Sequence, residues 1–384
     1  MPVLGLEEFV EIMGRLEGKA IQARPQQCTR IRHRLSTCTR CADACPTGAI
    51  QWDSGLEVDA EKCTGCGACA AVCPTGALSA HSPTNGELLV RAKQVIQDSG
   101  NVAFACPRYV EANPTKAAIT VNCIARLDES VLVGAVSMGA KGVWLLDGAC
   151  EGCPQESCRT VAAACVSRSN RLLAAFGVSE RIALVERLSA ANLPEGAQTD
   201  VEAMSRRGFF QLLARQTARV GVIAADSVLT SHGLSGAKEL KKGEMPIEVP
   251  EKRKLLLDAL KRLGVAPREG STAEGVWLRF GFLEACTGCQ MCTFFCPTGA
   301  LTKWEQDEKV GVAFQVSRCV ACGLCRDSCY VKAVVLSDDV NLQVVLSETV
   351  QTLPMRTAES APWRISGTER AARSIMESLG LTKE

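Results

Sequence analysis

The sequence predicts an α+β multidomain protein in which two small cysteine-rich modules flank a parallel α/β domain, with a helical linker and a tail. Three observations lead to this prediction. The chain has 384 residues, roughly the length of two to four domains. Its 22 cysteines fall into three groups, and the first and third groups repeat each other. Around the second group, strand-like apolar runs alternate with helix-like segments.

The composition excludes several classes of protein. Lysine and arginine (43) nearly balance aspartate and glutamate (42), which argues against a nucleic-acid-binding protein. Residues 1–15 carry Glu7, Glu8 and Glu11 where a secretory signal would be basic, so a cytoplasmic chain is expected. No run approaches about 18 uninterrupted apolar residues, so no direct membrane span is expected. In a reducing compartment cysteines bind metal, and with only three histidines sulfur would be the main ligand.

The predicted domains follow one another along the chain. Residues 1–85 hold an N-terminal helix and the first module, 98–200 the α/β domain, 201–275 the helical linker, 276–345 the second module and 346–384 the tail. The N-terminal helix is predicted at 6–16, where apolar residues recur at helical spacing. The linker contains a predicted helix at 252–263, and the tail one at 369–379.

The α/β domain is predicted from alternating patterns. Its strands are expected at 101–105, 117–121 and 142–146. Helices are expected at 128–140, with Asp128 as the N-cap, and at 160–176, which is rich in alanine and leucine. Strands that alternate with helices indicate a parallel sheet.

The third cysteine group contains two copies of one spacing, Cys-x2-Cys-x2-Cys-x3-Cys, beginning at Cys286 and Cys319. In bacterial ferredoxins three cysteines of such a run hold one [4Fe-4S] cluster and the fourth holds the neighbouring cluster. The spacing therefore assigns two ligand sets: Cys286, Cys289, Cys292 and Cys329, and Cys319, Cys322, Cys325 and Cys296. The alternative is zinc, which usually takes its four thiolates as two pairs.

The first group departs from this spacing. Its second run, from Cys63 to Cys73, is complete, but in the first run Leu35 stands where the leading cysteine would be. Cys28 is the obvious substitute, with a basic insertion at 29–35 looping out. Two further [4Fe-4S] sets follow: Cys28, Cys38, Cys41 and Cys73, and Cys63, Cys66, Cys69 and Cys45. Alternatively Cys28 is a bystander, and its site holds a [3Fe-4S] cluster or uses His33 or a solvent ligand.

The middle group has a different pattern, in which cysteines follow predicted strands. Cys106, Cys123 and Cys150 each come after one of the three apolar runs. Because the carboxyl ends of parallel strands meet at one edge of a sheet, these thiols would surround a further metal centre. The alternative is a set of inert buried cysteines.

Residues 101–177 resemble the delta subunit of methyl-viologen-reducing hydrogenase, an iron–sulfur adaptor. The resemblance is carried by four stretches: 102–106, Val121-Asn-Cys-Ile-Ala-Arg-Leu-Asp128, Ser137-Met-Gly-Ala-Lys-Gly-Val-Trp144, and 148–158. It implies a [2Fe-2S] cluster held by Cys106, Cys123, Cys153 and Cys158. Cys150 is an alternative ligand, and Cys165 is not expected to be one. The chain departs from the family pattern at Ile124-Ala125. The flanking modules resemble dicluster ferredoxins.

Residues 205–210, Ser-Arg-Arg-Gly-Phe-Phe, resemble a twin-arginine export motif. They lie in mid-chain, and Arg215 and Arg219 interrupt the segment that follows. We interpret them as the basic start of a helix that packs Phe209 and Phe210 inward.

The expected function is electron transfer within a larger oxidoreductase complex, because the sequence offers cluster sites and no dinucleotide fingerprint or Walker loop. The family resemblance implies redox partners: a hydrogenase or formate dehydrogenase on one side, and a flavin-containing, heterodisulfide-reductase-like subunit on the other. Two alternatives stay open. One is a stand-alone reductase that uses the middle cysteines, and the other is a cluster-storage or maturation protein.

Overall fold

The computed structural model describes residues 20–188, apart from 54, 116 and 179, and residues 245–357. The predicted helices at 6–16 and 369–379 and the twin-arginine-like segment lie outside these ranges. All 22 cysteines lie inside them.

The first cysteine-rich module is built from short elements that connect its cysteine runs. Its elements are β1 (Ile21–Ala23), α1 (Thr29–Arg32), α2 (Arg40–Asp43), β2 (Ile50–Gln51), β3 (Glu57–Val58), α3 (Ala68–Val72) and β4 (Leu78–Ala80). Strands β1 and β4 pair antiparallel, with Ile21 opposite Ala80. Strands β2 and β3 form a second antiparallel pair, with Ile50 opposite Val58. Ile21 and Ile50, one from each sheet, share one buried cluster with Cys41 and Cys69.

Helix α4 (Asn85–Ser99) leads from this module into the middle domain and was not predicted. It begins with a capping box, in which the Thr84 hydroxyl accepts from the Glu87 N–H and the Glu87 carboxylate accepts from the Thr84 N–H. Gly100 ends it in the left-handed conformation. The Thr-x-x-Glu pattern was the available sequence signal.

The middle domain contains a four-stranded parallel sheet, which confirms the predicted parallel α/β fold. Its elements are β5 (Val102–Ala105), α5 (Pro107–Ala112), β6 (Ala118–Thr120), α6 (Glu129–Ser137), β7 (Val143–Leu146), α7 (Cys158–Ala175) and β8 (Ile182–Val185). The strand order is β6–β5–β7–β8, and all three pairings are parallel. Asp128 caps α6 as predicted, accepting from the Ser130 N–H. Strand β8 was missed because it is short and lies beyond the last cysteine of the group.

The second module follows helix α8 (Glu251–Arg262). Its elements are β9 (Arg279–Phe282), α9 (Met291–Phe295), β10 (Leu301–Gln306), β11 (Lys309–Gln315), α10 (Leu324–Asp327), β12 (Val334–Ser337), α11 (Leu342–Ser347) and β13 (Val350–Thr357). Strands β9 and β12 pair antiparallel, as β1 and β4 do in the first module. The β10–β11 hairpin gains β13 as a third strand, so residues 350–357 of the region predicted as a tail belong to this sheet.

Helix α8 links the parts of the molecule. Its residues Leu256 and Leu260 belong to one apolar core that runs from the middle sheet to Trp277 of the second module. At its start, the Lys252 ammonium donates to the carbonyls of Ala70 and Ala71 at the end of α3. The described residues, apart from 245 and 246, form one compact unit. Among them no helix combines the length and apolar character that a membrane crossing requires.

Candidate metal centres

Four thiols of the N-terminal module come together at what we call site 1: Cys28, Cys38, Cys41 and Cys73. Cys41 lies within electrostatic range of the other three. Burial raises the pKa of the Cys41 thiol to about 12, with smaller contributions from the neighbouring thiols. Cys28 is the residue before α1, whereas Leu35, at the regular position of the leading cysteine, is 54% exposed. The thiol of Cys28 therefore lies near Cys41, as the predicted set requires.

Site 2 consists of the other four thiols of this module: Cys45, Cys63, Cys66 and Cys69. The thiol of Cys69 is buried, and burial raises its pKa. The remaining three thiols of the site, together with Cys41 of site 1, are its nearest electrostatic neighbours. Sites 1 and 2 are thus adjacent, as the crossover of Cys45 and Cys73 between the two runs requires.

The C-terminal module repeats this arrangement. Site 3 comprises Cys286, Cys289, Cys292 and Cys329, and Cys292 lies within electrostatic range of the other three. Site 4 comprises Cys296, Cys319, Cys322 and Cys325, and Cys325 lies within electrostatic range of the other three. Burial raises the pKa of Cys292 to about 12 and that of Cys325 well above its usual value. Cys325 also interacts with Cys292, so sites 3 and 4 are adjacent too.

The regular runs share a backbone conformation. In each run, the residue before the second cysteine and the residue after it have positive φ: Gly65 and Gly67, Gly288 and Gln290, Ala321 and Gly323. Left-handed residues turn the chain sharply, so three thiols face one centre. Gly67 is also a point of close approach, because a Cβ there would lie 2.6 Å from Cβ of Arg126 in the middle domain.

The three copies of Cys-Pro-Thr-Gly-Ala place a hydroxyl near the sulfur of their cysteine. The threonine oxygen lies 3.7 Å from Cys45 and 3.8 Å from both Cys73 and Cys296. At Cys45 the backbone N–H of Ala49 also donates to the sulfur, at 3.3 Å. Such donors stabilise a metal-bound thiolate.

The fourth copy, Cys-Tyr-Val-Lys-Ala at 329–333, has valine in place of threonine. It keeps the backbone conformation, since Lys332 takes the left-handed position that glycine holds elsewhere. The N–H of Ala333 donates to Cys329 across 3.3 Å. The sulfur of Cys329 therefore has the backbone donor without the hydroxyl.

A fifth group of thiols lies at the carboxyl edge of the middle sheet, and we call it the middle site. Cys150 lies within electrostatic range of Cys106, Cys123 and Cys153. Burial raises the pKa of Cys150 to about 11, with Cys123 the largest of the neighbouring contributors. The strand order changes direction between β5 and β7, where a doubly wound sheet opens a crevice at its carboxyl edge.

Arg108 ties the two halves of the middle site together. Its guanidinium donates to the carbonyls of Gly152, at 3.1 Å, and Glu151, at 3.4 Å. Arg108 follows Cys106 by two residues, and the carbonyls that accept its hydrogen bonds belong to residues between Cys150 and Cys153. The clamp therefore holds the thiols after β5 beside those after β7.

Cys158, which the family resemblance includes among the ligands, lies between two sites. It is buried at the start of α7, and its thiol donates to the sulfur of Cys66, 3.9 Å away. It also hydrogen-bonds Cys123. These contacts lower the pKa of Cys66 and of Cys123 and raise that of Cys158. Cys165 is buried elsewhere, accepting from Arg168 at 3.4 Å.

Three arginines near the thiols were not singled out as functional from the sequence. Arg32 and Arg40 belong to the N-terminal module but lie within electrostatic range of thiols of site 4. Arg253 of α8 is buried, donates to the Val276 carbonyl at 2.7 Å and stacks on Trp277 at 4.1 Å. It lies within electrostatic range of Cys319. The basic insertion at 29–35 was the only sequence signal for any of them.

The donor sets fit iron–sulfur clusters. None of the 22 cysteines forms a disulfide, and each of sites 1–4 presents four thiols. Burial disfavours the thiolate form, so four thiolates would be held together at such a site only around a cationic centre. Within the described ranges, no group of three or more His, Cys, Asp or Glu side chains is arranged around a single metal ion.

Two family models match the chain. The model described as a 4Fe-4S dicluster domain matches residues 12–77 and 285–333. The model described as methyl-viologen-reducing hydrogenase, delta subunit, matches residues 100–207. No solved structure matched the chain. Dicluster domains at both ends thus flank a domain similar to the hydrogenase delta subunit, which confirms both resemblances and supports an iron–sulfur electron-transfer role in a redox complex.

Proposed function

We propose that this chain is an electron-relay subunit that holds four [4Fe-4S] clusters at sites 1–4 and one [2Fe-2S] cluster at the middle site. The observation that carries the proposal is the convergence of five separate thiol groups within one compact unit. Bound clusters would supply one-electron transfer, with potentials set by hydrogen bonds, charge and burial.

The chain's own residues position and tune such clusters. Left-handed residues shape the turns, and threonine hydroxyls and backbone N–H groups lie beside the sulfurs. Burial of Cys41, Cys69 and Cys292 keeps water from these sulfurs. These features favour stable, repeatedly reducible centres over the labile ones expected of a cluster-storage protein.

For the middle site we propose Cys106, Cys123, Cys150 and Cys153 as the ligands. The support is the proximity of the first, second and fourth to Cys150 and the Arg108 clamp across the site. The Cys158 thiol hydrogen-bonds both Cys66 and Cys123, so we assign it a hydrogen-bonding role rather than a ligand role.

The partners we propose are other redox subunits in the cytoplasm. The similarity to a hydrogenase delta subunit suggests a hydrogenase or formate dehydrogenase on one side. It also suggests a flavin-containing, heterodisulfide-reductase-like subunit on the other. A pull-down of the full chain from anaerobic extract, followed by assays of both enzyme classes, tests these partners.

Iron analysis combined with EPR of the reduced full chain tests the cofactors. We expect about 18 irons per chain and one [2Fe-2S] signal among [4Fe-4S] signals. About 16 irons without the [2Fe-2S] signal would contradict the middle assignment, and about 17 with a [3Fe-4S] signal would contradict the role of Cys28. Substrate turnover by the isolated chain would contradict the relay function and favour a stand-alone reductase.

A further inference from the structure

We infer that the five sites lie in single file, in the order middle site, site 2, site 1, site 4, site 3. The N-terminal and C-terminal cluster pairs are then joined directly, and the middle site is one end of the path. This inference rests on the proposed function and adds the route that electrons take through the chain.

The first junction joins the middle site to site 2. The Cys158 thiol contacts Cys66 of site 2 at 3.9 Å and also hydrogen-bonds Cys123 of the middle site. The same three cysteines pack in one buried cluster. Beside them, the Asn122 amide donates to the Gly65 carbonyl across 3.1 Å. The middle domain therefore meets the first module at site 2.

The second and fourth junctions lie within the modules. Cys69 of site 2 lies within electrostatic range of Cys41 of site 1. Cys325 of site 4 bears the same relation to Cys292 of site 3. In each pair, the last cysteine of one run belongs to the site of the other run. The two centres of a pair are therefore neighbours in any arrangement of the modules.

The third junction joins site 1 to site 4 through the insertion that displaces Cys28 and the residues that follow it. The Arg40 guanidinium donates to the Ala321 carbonyl at 2.9 Å. Arg40 precedes Cys41 of site 1 in sequence, and Ala321 precedes Cys322 of site 4. His33 packs edge-on against Phe295 at 4.5 Å between ring centroids. The backbone N–H of Thr37 donates to the Asp327 carboxylate at 3.3 Å.

The insertion also places positive charge between the two sites. Arg32 is buried and lies within electrostatic range of Cys296 and Cys322, both of site 4. Arg30 anchors the segment to its own module, 4.6 Å over the ring of Trp52. Cations between two thiolate-bound centres reduce their mutual repulsion and so favour close approach.

The two ends of the file reach the surface. Around site 3, Leu283, Phe294 and Tyr330 are each more than half exposed. At the middle site, Cys106, Cys150 and Cys153 are only half-buried. Side chains at both ends are thus partly exposed, although thiols of the inner sites, such as Cys45 and Cys322, are half-buried as well.

The test removes site 1 from the loaded full chain with Cys41→Ala and compares it with Cys292→Ala, which removes terminal site 3. About one electron per chain is added by flash photoreduction, and freeze-quench EPR follows exchange between the [2Fe-2S] signal and the site 4 signal. In the wild type and in Cys292→Ala we expect exchange that is independent of protein concentration. In Cys41→Ala we expect that phase to be lost, because electrons can cross only by collision between chains.

Concentration-independent exchange in Cys41→Ala at the wild-type rate would overturn the order. A second measurement reports which site lies near the [2Fe-2S] cluster, and it does not depend on the folding of a single variant. Cys69→Ala, which removes site 2, should slow the spin relaxation of the [2Fe-2S] signal, whereas Cys325→Ala, which removes site 4, should leave it unchanged. The reverse pattern would overturn the order with all proposed clusters still present, whereas missing clusters in the wild type would refute the proposed function itself.

Discussion

The thiol of Cys158 donates a hydrogen bond to the sulfur of Cys66, 3.9 Å away, across the boundary between the middle domain and the first cysteine-rich module. The two residues are 92 positions apart in sequence. The family resemblance makes Cys158 a ligand of the middle cluster, whereas Cys66 is a proposed ligand of site 2. It leads directly to the first prediction.

Cys150→Ala should remove the [2Fe-2S] signal and about two irons per chain, because Cys150 lies among the other thiols of the middle site. Cys158→Ala should keep both. Iron analysis and EPR of the two purified variants check this. Loss of the signal in Cys158→Ala with retention in Cys150→Ala would restore the ligand set that the family resemblance implies.

Thr298→Val should lower the reduction potential of the site 4 cluster, because it removes a hydroxyl 3.8 Å from Cys296. A weak hydrogen bond contributes roughly 0.5–1 kcal/mol, which for one electron is about 20–40 mV. Val331→Thr is the reciprocal change and should raise the potential of site 3 by a similar amount. Redox titration followed by EPR measures both, and shifts of the same sign would contradict the explanation.

Gly67→Ala should destabilise the protein more than Gly48→Ala does. Both glycines have positive φ, so both variants bear the strain of a left-handed alanine, about 1–2 kcal/mol. Only at Gly67 would the new Cβ meet another residue, at 2.6 Å from Cβ of Arg126, whereas nothing lies within 4 Å at Gly48. The clash should add about 1–3 kcal/mol.

Anaerobic denaturant titration, followed by the loss of cluster absorbance, compares these two glycine variants. Equal shifts of the midpoint would show that the first module and the middle domain adjust without cost. A larger shift for Gly48→Ala would contradict the close packing at Gly67.

Arg253→Met should lower the potential of the site 4 cluster, because a nearby positive charge favours the more negative reduced state. At an effective dielectric constant near 20, one charge contributes on the order of 1–2 kcal/mol, or on the order of 40–90 mV. Arg253→Lys keeps the charge while losing the planar contact with Trp277, so its shift should be smaller. Equal shifts in redox titrations of the two variants would assign the effect to packing rather than to charge.

Local patterns predicted much of the fold. The parallel strands after residue 100, the Asp128 cap and helix α8 were all recognisable from periodicity and capping residues. Helix α4 was missed although its Thr84–Glu87 capping box was present in the sequence. Strand β13 could not be foreseen, because its residues gain their partner from β11, which lies some 40 residues earlier.

The sequence by itself predicted three regular thiol sets and one irregular set that uses Cys28, because the spacing of each short run dictates which of its sulfurs face one centre. Only the tertiary structure decided where Cys150, Cys158, Arg32 and Arg40 lie. Their neighbours come from other strands and from the other module, so their surroundings depend on how the sheet edge forms and how the modules dock. No local spacing encodes those distances, and the order of the proposed relay depends on them.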